Sequence, residues 1–482
     1  MADPSPRAGA GGDDQDTASQ PTAEIPRGTG PGHAAPSEPD TPSLLRLFGS
    51  HSFFRLWLAQ VVSSLGDWLG FVAVTAVAAR IGGSSPEAAI SLVLSARLLP
   101  GFFLAPAAGV IVDRWDRKRV MVSCDVGRGL VLASLPFVDT VPGLFVASLL
   151  LEILTLLWSP AKEASVPNLV RKEFLANANS LSLVAAYGTF PIGSALFALL
   201  AGVAAWLSRY DVLAGLRVSQ ETVAIWFDVG TFFVSAFMIS TLALPRHRRR
   251  ERKGDDRVDL RRSLSDLAEG YRFIGQSAVV RAVILGIGTG LVGGGMLVPL
   301  GPVMSKEVLG AGTAGFGLLL TALGVGVAAG IIILSIFQSR LPHERVFVFS
   351  VFGAGVCQLI GASMASLPPA LVFVAALGLC GGSVYILGFT ILQSNVEDEL
   401  RGRIFATLYT LVRFCLLLAF AVAPLLSSLL GKVSEALVDG SISIAGVSVA
   451  LPGVRLTLWL GGVIIVTAGL LASRSMRDHR PA

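Results

Sequence analysis

Apolar segments long enough to cross a lipid bilayer recur along most of this chain, starting near Phe53. An α-helix of about 20 apolar residues spans the roughly 30 Å hydrocarbon core of a membrane. Charged residues make up 15% of the chain, whereas a soluble domain carries about 25%. The sequence therefore predicts an all-α polytopic membrane protein.

Twelve such segments are predicted, six before and six after a polar stretch at 245–278. Their approximate bounds are Phe53–Ala79, Ala89–Val112, Val120–Val138, Gly143–Pro160, Leu181–Leu207, Thr222–Leu244, Val279–Val303, Ala314–Phe337, Val346–Leu367, Ala370–Leu392, Ile404–Leu430 and Val454–Ala472. We expect twelve transmembrane helices in two six-helix halves, at 51–244 and 279–474. A cytoplasmic linker with an amphipathic helix at 245–278 joins them.

Weak internal similarity supports two repeated halves. A constant shift of 230 residues relates three residues after the fourth span to three residues after the tenth, namely Val166, Arg171 and Ala176 to Val396, Arg401 and Ala406. Internal repeats of this kind are typical of membrane transporters built from two pseudo-symmetric bundles.

The distribution of basic residues predicts which side of the membrane each connection faces. Lys and Arg are concentrated in alternate connections, most densely at 246–253, and are sparse in the others. Because cytoplasmic loops carry the excess of positive charge, both termini are expected in the cytoplasm of a multi-pass plasma-membrane protein. Residues 1–50, rich in Pro, Gly, Ala and Ser, are expected to form a disordered cytoplasmic tail, and 475–482 a cytoplasmic C-terminus.

Other classes of function receive no support. The net charge of +5 comes from short loops and not from one basic surface, so no nucleic-acid partner is expected. The four cysteines lie singly in apolar segments, and the five histidines lie outside the predicted spans. Glycine-rich stretches at 286–290 and 324–330 fall inside spans, where helix packing explains them. We therefore predict no metal, no cofactor and no enzymatic activity.

The segment Gly109–Arg119 places a dense group of opposite charges between two apolar spans. One charge at the centre of a bilayer costs about 3 kcal/mol or more, so this segment marks a membrane surface. Five of its residues fit the signature Gly-x-x-x-Asp-Arg-x-Gly-Arg-Arg: Gly109, Asp113, Arg114, Arg117 and Lys118. Asp116 replaces the usual second glycine. On these residues the chain resembles the major facilitator superfamily.

Four further stretches, at 54–58, 64–68, 160–164 and 398–403, are similar to the branch of that superfamily that contains the enterobactin exporter and macrolide efflux proteins. The branch includes actinobacterial forms that are sometimes fused to a thymidylate kinase domain, but no phosphate-binding Gly-x-x-x-x-Gly-Lys-Ser/Thr sequence occurs here. The resemblance implies that the five signature residues form a cytoplasmic latch between the halves. Simple anchoring by positive charge is the alternative.

Four ionisable residues lie inside predicted spans and are candidates for coupling transport to protons: Asp67, Arg97, Glu152 and Asp228. Such groups are costly in a membrane unless they pair, titrate or face water. A fixed ion pair between helices one, two and four is the alternative, and Asp228 is expected to be solvated near a span end. Asp125, Arg128, Arg281 and Arg413 are expected to anchor spans at the interface.

Gly188, Pro191 and Gly193 in the fifth span resemble, incompletely, the glycine-proline motif of proton-exchanging exporters. Proline removes a helical hydrogen bond and glycine permits close helix approach, so a kink is expected here. The fourth span has Glu152 but lacks the arginine that the exchanger pattern places there. Ordinary kinked packing is therefore the alternative to an exporter role.

The expected function is secondary active transport by alternating access, exporting a small amphipathic or hydrophobic molecule through a mainly apolar cavity. The partners implied are that substrate, membrane lipid and, under the coupling hypothesis, protons. A lysophospholipid flippase, or a non-transporting scaffold for a cytoplasmic enzyme, is the alternative. The sequence does not define the oligomeric state.

Overall fold

A computed structural model describes most of the chain outside its termini. The described residues are 48–83, 85–104, 115–207, 220–242, 277–337, 341–396, 398–444 and 447–477. Among them, twelve helical segments are long and apolar enough to cross a membrane, which confirms the twelve predicted spans. The predicted tail at 1–50 lies almost wholly outside the described residues, and the linker lies outside them except for its last two.

Two of the spans are divided into two helices each. In the first half the helices are α1 (His51–Ile81), α2 (Pro86–Phe103), α3 (Arg117–Ser134), α4 (Val141–Ser165), α5a (Leu175–Tyr187), α5b (Phe190–Leu207) and α6 (Gln220–Ser240). In the second half they are α7a (Ala278–Gly295), α7b (Leu297–Val303), α8 (Gly312–Phe337), α9 (His343–Ser363), α10 (Leu367–Asn395), α11 (Asp398–Val438) and α12 (Gly453–Arg477).

Several helices begin at a capping side chain that satisfies a free backbone N–H. Ser50 accepts from the Phe53 N–H, 3.0 Å away, at the start of α1, and Thr140 caps α4 in the same way. Asp116 accepts from the Arg119 N–H at 2.9 Å. Asp116 therefore caps the start of α3, a role that suits a short polar side chain. It is also the residue that replaces the second glycine of the superfamily signature.

Two pairs of helices make the most extensive contacts between the halves. Helix α5b packs on α8 and α2 packs on α11. Near the start of α2, the Ser91 hydroxyl donates to the Phe420 carbonyl of α11, and Ser427 Oγ lies 3.4 Å from Glu87 Oε1. Further along α2, the Arg413 guanidinium of α11 donates to the Gly101 carbonyl at 3.2 Å. Arg413 was expected to anchor its span at the membrane interface, but in the structure it joins the two halves.

The end of the bundle where α1 begins is held together by basic side chains, and we call it the basic end. Arg117 Nη1 donates to the Ala164 carbonyl at 2.5 Å, and Lys118 Nζ donates to the Leu242 carbonyl at 2.8 Å. These carbonyls lie where α4 and α6 finish, where cations are favourable. The other predicted latch residues, Gly109, Asp113 and Arg114, lie outside the described residues.

A two-stranded hairpin between α11 and α12 was not predicted. Strands β1 (Ser441–Ile444) and β2 (Val447–Ala450) pair antiparallel, with Ser441 opposite Ala450. The buried Arg455 supports it, donating from Nη1 to the Ala450 carbonyl at 2.5 Å and from Nε to the Ala362 carbonyl at 3.1 Å. The predominantly helical fold class is confirmed, with this hairpin as an addition.

Candidate transport site

An open cavity of about 700 Å³ is lined by helices of the first half. Residues of α1, α2, α4 and α5a line it. Its charged lining residues are Asp67, Arg97, Glu152, Lys162 and Glu163, and its aromatic lining residues are Trp68, Phe71, Trp158 and Tyr187. Most of the lining surface is apolar, as expected from the sequence, but the cavity carries more charged side chains than expected.

The cavity reaches the basic end of the bundle. Lys162 and Glu163 belong to the last turn of α4, close to the carbonyl that Arg117 binds. The sequence placed Lys162 in a loop after a span ending at Pro160, but α4 continues to Ser165 and buries this lysine. Pro160 therefore lies inside α4 and does not end it.

Arg128 of α3 is the centre of a buried ionic network. Its side chain is 1% exposed, and Nη1 lies 3.1 Å from both carboxylate oxygens of Asp67. Nη2 donates to Asp125 Oδ1 and lies 3.3 Å from Ser63 Oγ. Ser235 of α6 then donates to Asp125 Oδ2 at 2.7 Å. Helices α1, α3 and α6 are thus joined by one chain of polar contacts.

Aromatic rings enclose the same guanidinium. Its central carbon lies 4.5 Å from the Phe232 ring centroid and 5.4 Å from the Trp158 ring centroid. The face of an aromatic ring attracts a cation, most strongly where water is excluded. Arg128 therefore has both carboxylates and π faces to compensate its burial.

The prediction that Asp125 and Arg128 anchor the interface was wrong. Asp67 has Arg128 as its cation, and within the described residues no ion pair joins Asp67 or Glu152 to Arg97. The predicted fixed pair between helices one, two and four is therefore absent from this part of the chain. The spacing of Asp125 and Arg128, three residues apart within a span, was a signal for an internal pair.

Arg97 of α2 and Glu152 of α4 both line the cavity. The Arg97 guanidinium lies over Phe71, 5.5 Å from the ring centroid, and its Nη1 is buried without a hydrogen-bond partner. These two side chains leave hydrogen-bonding capacity that a polar group in the cavity can use.

Asp228 of α6 does not follow its prediction. It was expected to be solvated near a span end, but its exposure is 0%. Oδ1 lies 3.1 Å from Thr231 Oγ1, and Oδ2 is buried without a hydrogen-bond partner. The apparent position near a span end came from counting along the sequence, whereas neighbouring helices bury this part of α6.

The helix break in the fifth span falls at the predicted kink. Helix α5a ends at Tyr187, Gly188 and Thr189 form the break, and Pro191 lies in the first turn of α5b. A Cβ on Gly193 would lie 2.9 Å from the Trp68 Cβ of α1, so this glycine permits close approach. The role of this kink in export stays a prediction.

Three side chains of α1 bind backbone carbonyls of α5a beside this break. Trp57 Nε1 donates to Leu181, Gln60 Nε2 to Ser182 and Trp68 Nε1 to Ala186, over distances of 2.8–2.9 Å. These bonds fix the part of the fifth span that lines the cavity.

Aromatic residues of the second half form a cluster on α10 and α11. The ring centroids of Tyr385 and Phe389 on α10 are 4.5 Å apart, and that of Phe389 is 6.1 Å from Tyr409 on α11. Sequence reasoning missed this group, although aromatic residues inside spans were visible.

The fold and the cavity between helices define a secondary-transporter architecture. The family model for transmembrane secretion effectors matches residues 43–459. The chain therefore belongs to the transmembrane secretion effector family of the major facilitator superfamily, which confirms the resemblance. It is a multi-pass membrane transporter and not an enzyme.

Curated relatives include efflux proteins. The chain is 24% identical over 397 residues to the multidrug efflux pump Tap of Mycobacterium tuberculosis, covering 80% of this chain and 87% of Tap. It is 22% identical over 403 residues to macrolide efflux protein A of Streptococcus pyogenes, covering 81% of this chain and 93% of the relative.

Among solved structures, the chain is similar to a bacterial homologue of the human lysosomal transporter Spinster in an inward-facing, unoccupied conformation. The TM-score is 0.66 at 13% identity, covering 90% of this chain and 99% of that one. At this identity the similarity shows the fold alone.

Proposed function

We propose that this transporter exports small amphipathic molecules across the cell membrane by alternating access, in exchange for protons. The observation that carries the proposal is the cavity of about 700 Å³ that reaches the basic end of the bundle. Relatives with efflux in their names, at 22–24% identity, support the direction.

The predicted topology indicates the side of the membrane to which the cavity opens. Positive charge favours the cytoplasmic face, so the basic end with Arg117 and Lys118 is assigned there. At the opposite end the halves meet through Ser91 and Phe420, and through Glu87 and Ser427. A cavity reaching the cytoplasmic side, with contacts between the halves beyond it, matches a transporter ready to receive a molecule from inside the cell.

The chemistry of the wall favours an amphipathic substrate over a purely hydrophobic one. Trp68, Phe71 and Tyr187 offer apolar and π surfaces, while Arg97 and Glu152 offer charges of both signs. A ligand that has both a ring system and a polar group satisfies both kinds of contact. A hydrophobic molecule alone would leave the buried Arg97 Nη1 without a partner.

Coupling to protons rests on the carboxyl groups in and beside the cavity. Asp67 and Glu152 both line it, and a group within a span can take up or lose a proton as the access side changes. Exchange of an inward proton for an outward substrate then uses the electrochemical gradient to drive export.

The test uses inside-out membrane vesicles containing the full chain, with a radiolabelled macrolide and ethidium as probes. With an acidic interior, we expect uptake of at least one probe that stops when the gradient is collapsed. Glu152→Gln and Asp67→Asn are expected to lower that uptake, whereas Arg80→Gln, at the far end of α1 and outside the cavity lining, serves as the matched control.

Movement of a fluorescent lysophospholipid between leaflets, with no gradient-driven uptake of either probe, would favour the flippase alternative. No movement of any of the three probes, with intact folded protein, would favour the scaffold.

A further inference from the structure

Asp228 is a carboxyl group in the interior of the first half with no cation bound to it. It lies eight residues into α6, or about 12 Å along the helix from Gln220. Its exposure is 0%, and no described Lys or Arg nitrogen lies within ion-pair distance of it. The group is therefore separated from both water and counter-charge.

Two glycines of α1 make room for this side chain. A Cβ on Gly66 would lie 2.3 Å from Asp228 Oδ1, and a Cβ on Gly70 would lie 2.2 Å from Oδ2. The Asp228 carboxyl group thus packs directly against the α1 backbone at Gly66 and Gly70. Gly66 immediately precedes Asp67 in the sequence. The close fit holds Asp228 at the interface between α1 and α6.

The hydrogen bonds do not suit an ionised carboxylate. Thr231 Oγ1 is 3.1 Å from Oδ1, but the same hydroxyl is 2.7 Å from the Asp228 carbonyl, and Oδ2 has no donor. A buried charge needs a partner or several donors, and without them it takes up a proton. The geometry therefore fits a neutral acid.

The neighbouring ionisable groups point the same way. Helix α1 presents Asp67, α3 presents Asp125, Arg128 and the Cys124 thiol, and α5b has no ionisable residue. On α2, Arg97 is a further cation that acts on Asp228 from outside ion-pair distance. Arg128 already serves two carboxylates, Asp67 and Asp125, so a third negative charge would have no cation bound to it.

Arg128 has one donor left, however. Its Nε is buried without a partner, and its guanidinium stacks on Phe232, which follows Asp228 by one turn of α6. Asp67 is the carboxylate of the network that lines the cavity. A substrate that binds Asp67 competes with Arg128 for it and frees positive charge beside Asp228.

We infer that Asp228 carries the exchanged proton, an inference that rests on the proposed export function. In the conformation described here the proton is on Asp228. When substrate engages Asp67, Arg128 turns toward Asp228, the Asp228 O–H bond breaks, and the proton passes to water in the cavity. The carboxylate that remains is paired with Arg128.

The first test compares Asp228→Asn with wild type in proteoliposomes, using the radiolabelled macrolide. Exchange of one proton across a gradient of one pH unit supports about tenfold accumulation. Asp228→Asn is expected to lose this accumulation while keeping counterflow, the exchange of labelled for unlabelled probe without a gradient. Glu221→Gln is the control, because Glu221 lies on the same helix, is also buried, and has Arg80 3.7 Å away. Wild-type accumulation in Asp228→Asn overturns the inference.

The second test needs no substrate and therefore separates this inference from the proposed function. A group that is protonated only when folded stabilises the protein at low pH, and this stability is lost as pH rises. The melting temperature of wild-type protein in detergent is expected to fall as pH rises above about 3.9, the ordinary pKa of an aspartic acid, and that of Asp228→Asn to fall less. Equal slopes for the two proteins would overturn the inference even if transport of every probe failed.

Discussion

The two halves of the molecule share a topology but are held together by different interactions. In the first half, α1, α3 and α6 are joined through the buried Arg128 and its carboxylates. In the second half, α8 and α10 approach until their backbones touch: a Cβ on Gly326 would lie 2.0 Å from the Ala375 carbonyl oxygen, and one on Gly382 would lie 2.3 Å from that of Val327.

The difference teaches that one fold can use its halves for different tasks. Close glycine packing is stable in a membrane without any charge, because it maximises dispersion contacts. A buried ionic network is a weaker source of stability, since desolvation offsets much of the attraction. It offers instead a set of contacts whose strength changes with protonation. We propose that the first half carries the groups that couple transport to protons. The second half, packed through its glycines, then acts as a rigid body against which the first half moves.

The largest expected effect comes from removing the centre of the ionic network. Arg128→Met leaves Asp67 and Asp125 without their cation, and breaking a buried pair costs about 3–5 kcal/mol. We expect a marked loss of folded protein, measured by fluorescence-detected gel filtration and melting temperature. Adding Asp125→Asn should restore part of the loss, because one uncompensated charge is removed. If the double variant is less stable than Arg128→Met, the network is not the source of the effect.

An intermediate effect is expected in the second half. Gly326→Ala forces α8 and α10 apart, and overpacking of this kind costs about 1–3 kcal/mol. Gly381→Ala is the matched control, since a Cβ there meets nothing within 4 Å. The melting temperature of Gly326→Ala should drop while that of Gly381→Ala stays near wild type. Similar values for the two variants would show that the glycine contact does not hold this half together.

A smaller effect is expected where a basic side chain caps a helix. Lys118→Gln weakens the bond to the Leu242 carbonyl, and an interaction at a helix C-terminus contributes about 0.3–1 kcal/mol. The melting temperature should fall slightly, and the change should shrink in high salt because the charge is screened. Arg119→Gln, on the same turn, is the comparison, and an equal decrease there would indicate a general loss of surface charge.

The smallest change in stability is expected when Gly70→Ala is added to Asp228→Ser, and this comparison tests the geometry at α1. Gly70→Ala places a methyl group against Asp228 Oδ2, and Asp228→Ser in the same chain removes that oxygen. The double variant should be no less stable than Asp228→Ser alone, whereas Gly70→Ala should destabilise the wild-type background. Additive losses would show that the two residues do not touch.

The sequence was sufficient to predict the spans, because length and hydropathy of a segment are local properties. It also placed Asp67 and Glu152 in the interior of their spans, and in the structure both line the cavity. The partner of Asp67 could not be found in this way, because it depends on which faces of α1 and α3 meet. Arg128 was assigned to the membrane surface from its place early in a span, although the adjacent helices extend past it and exclude water.

The hairpin was missed for a different reason. Ser441–Ile444 and Val447–Ala450 alternate small polar and apolar residues, which is the period of a strand. No element was predicted between the eleventh and twelfth spans. A period-two pattern on either side of a short turn was the available signal.

The hydrogen bonds made by Arg117 and Lys118 reduce the number of residues that can act as a latch between the halves. Both side chains bind main-chain oxygens within their own half, so the attachments do not depend on which side chains occupy positions 164 and 242. Two of the four charged latch residues therefore support their own half. The latch hypothesis then depends on Asp113 and Arg114, which lie outside the described residues. Asp113→Asn should then shift the balance between access states, detected by spin-label distances across the basic end, while Lys118→Gln should alter stability without moving that balance.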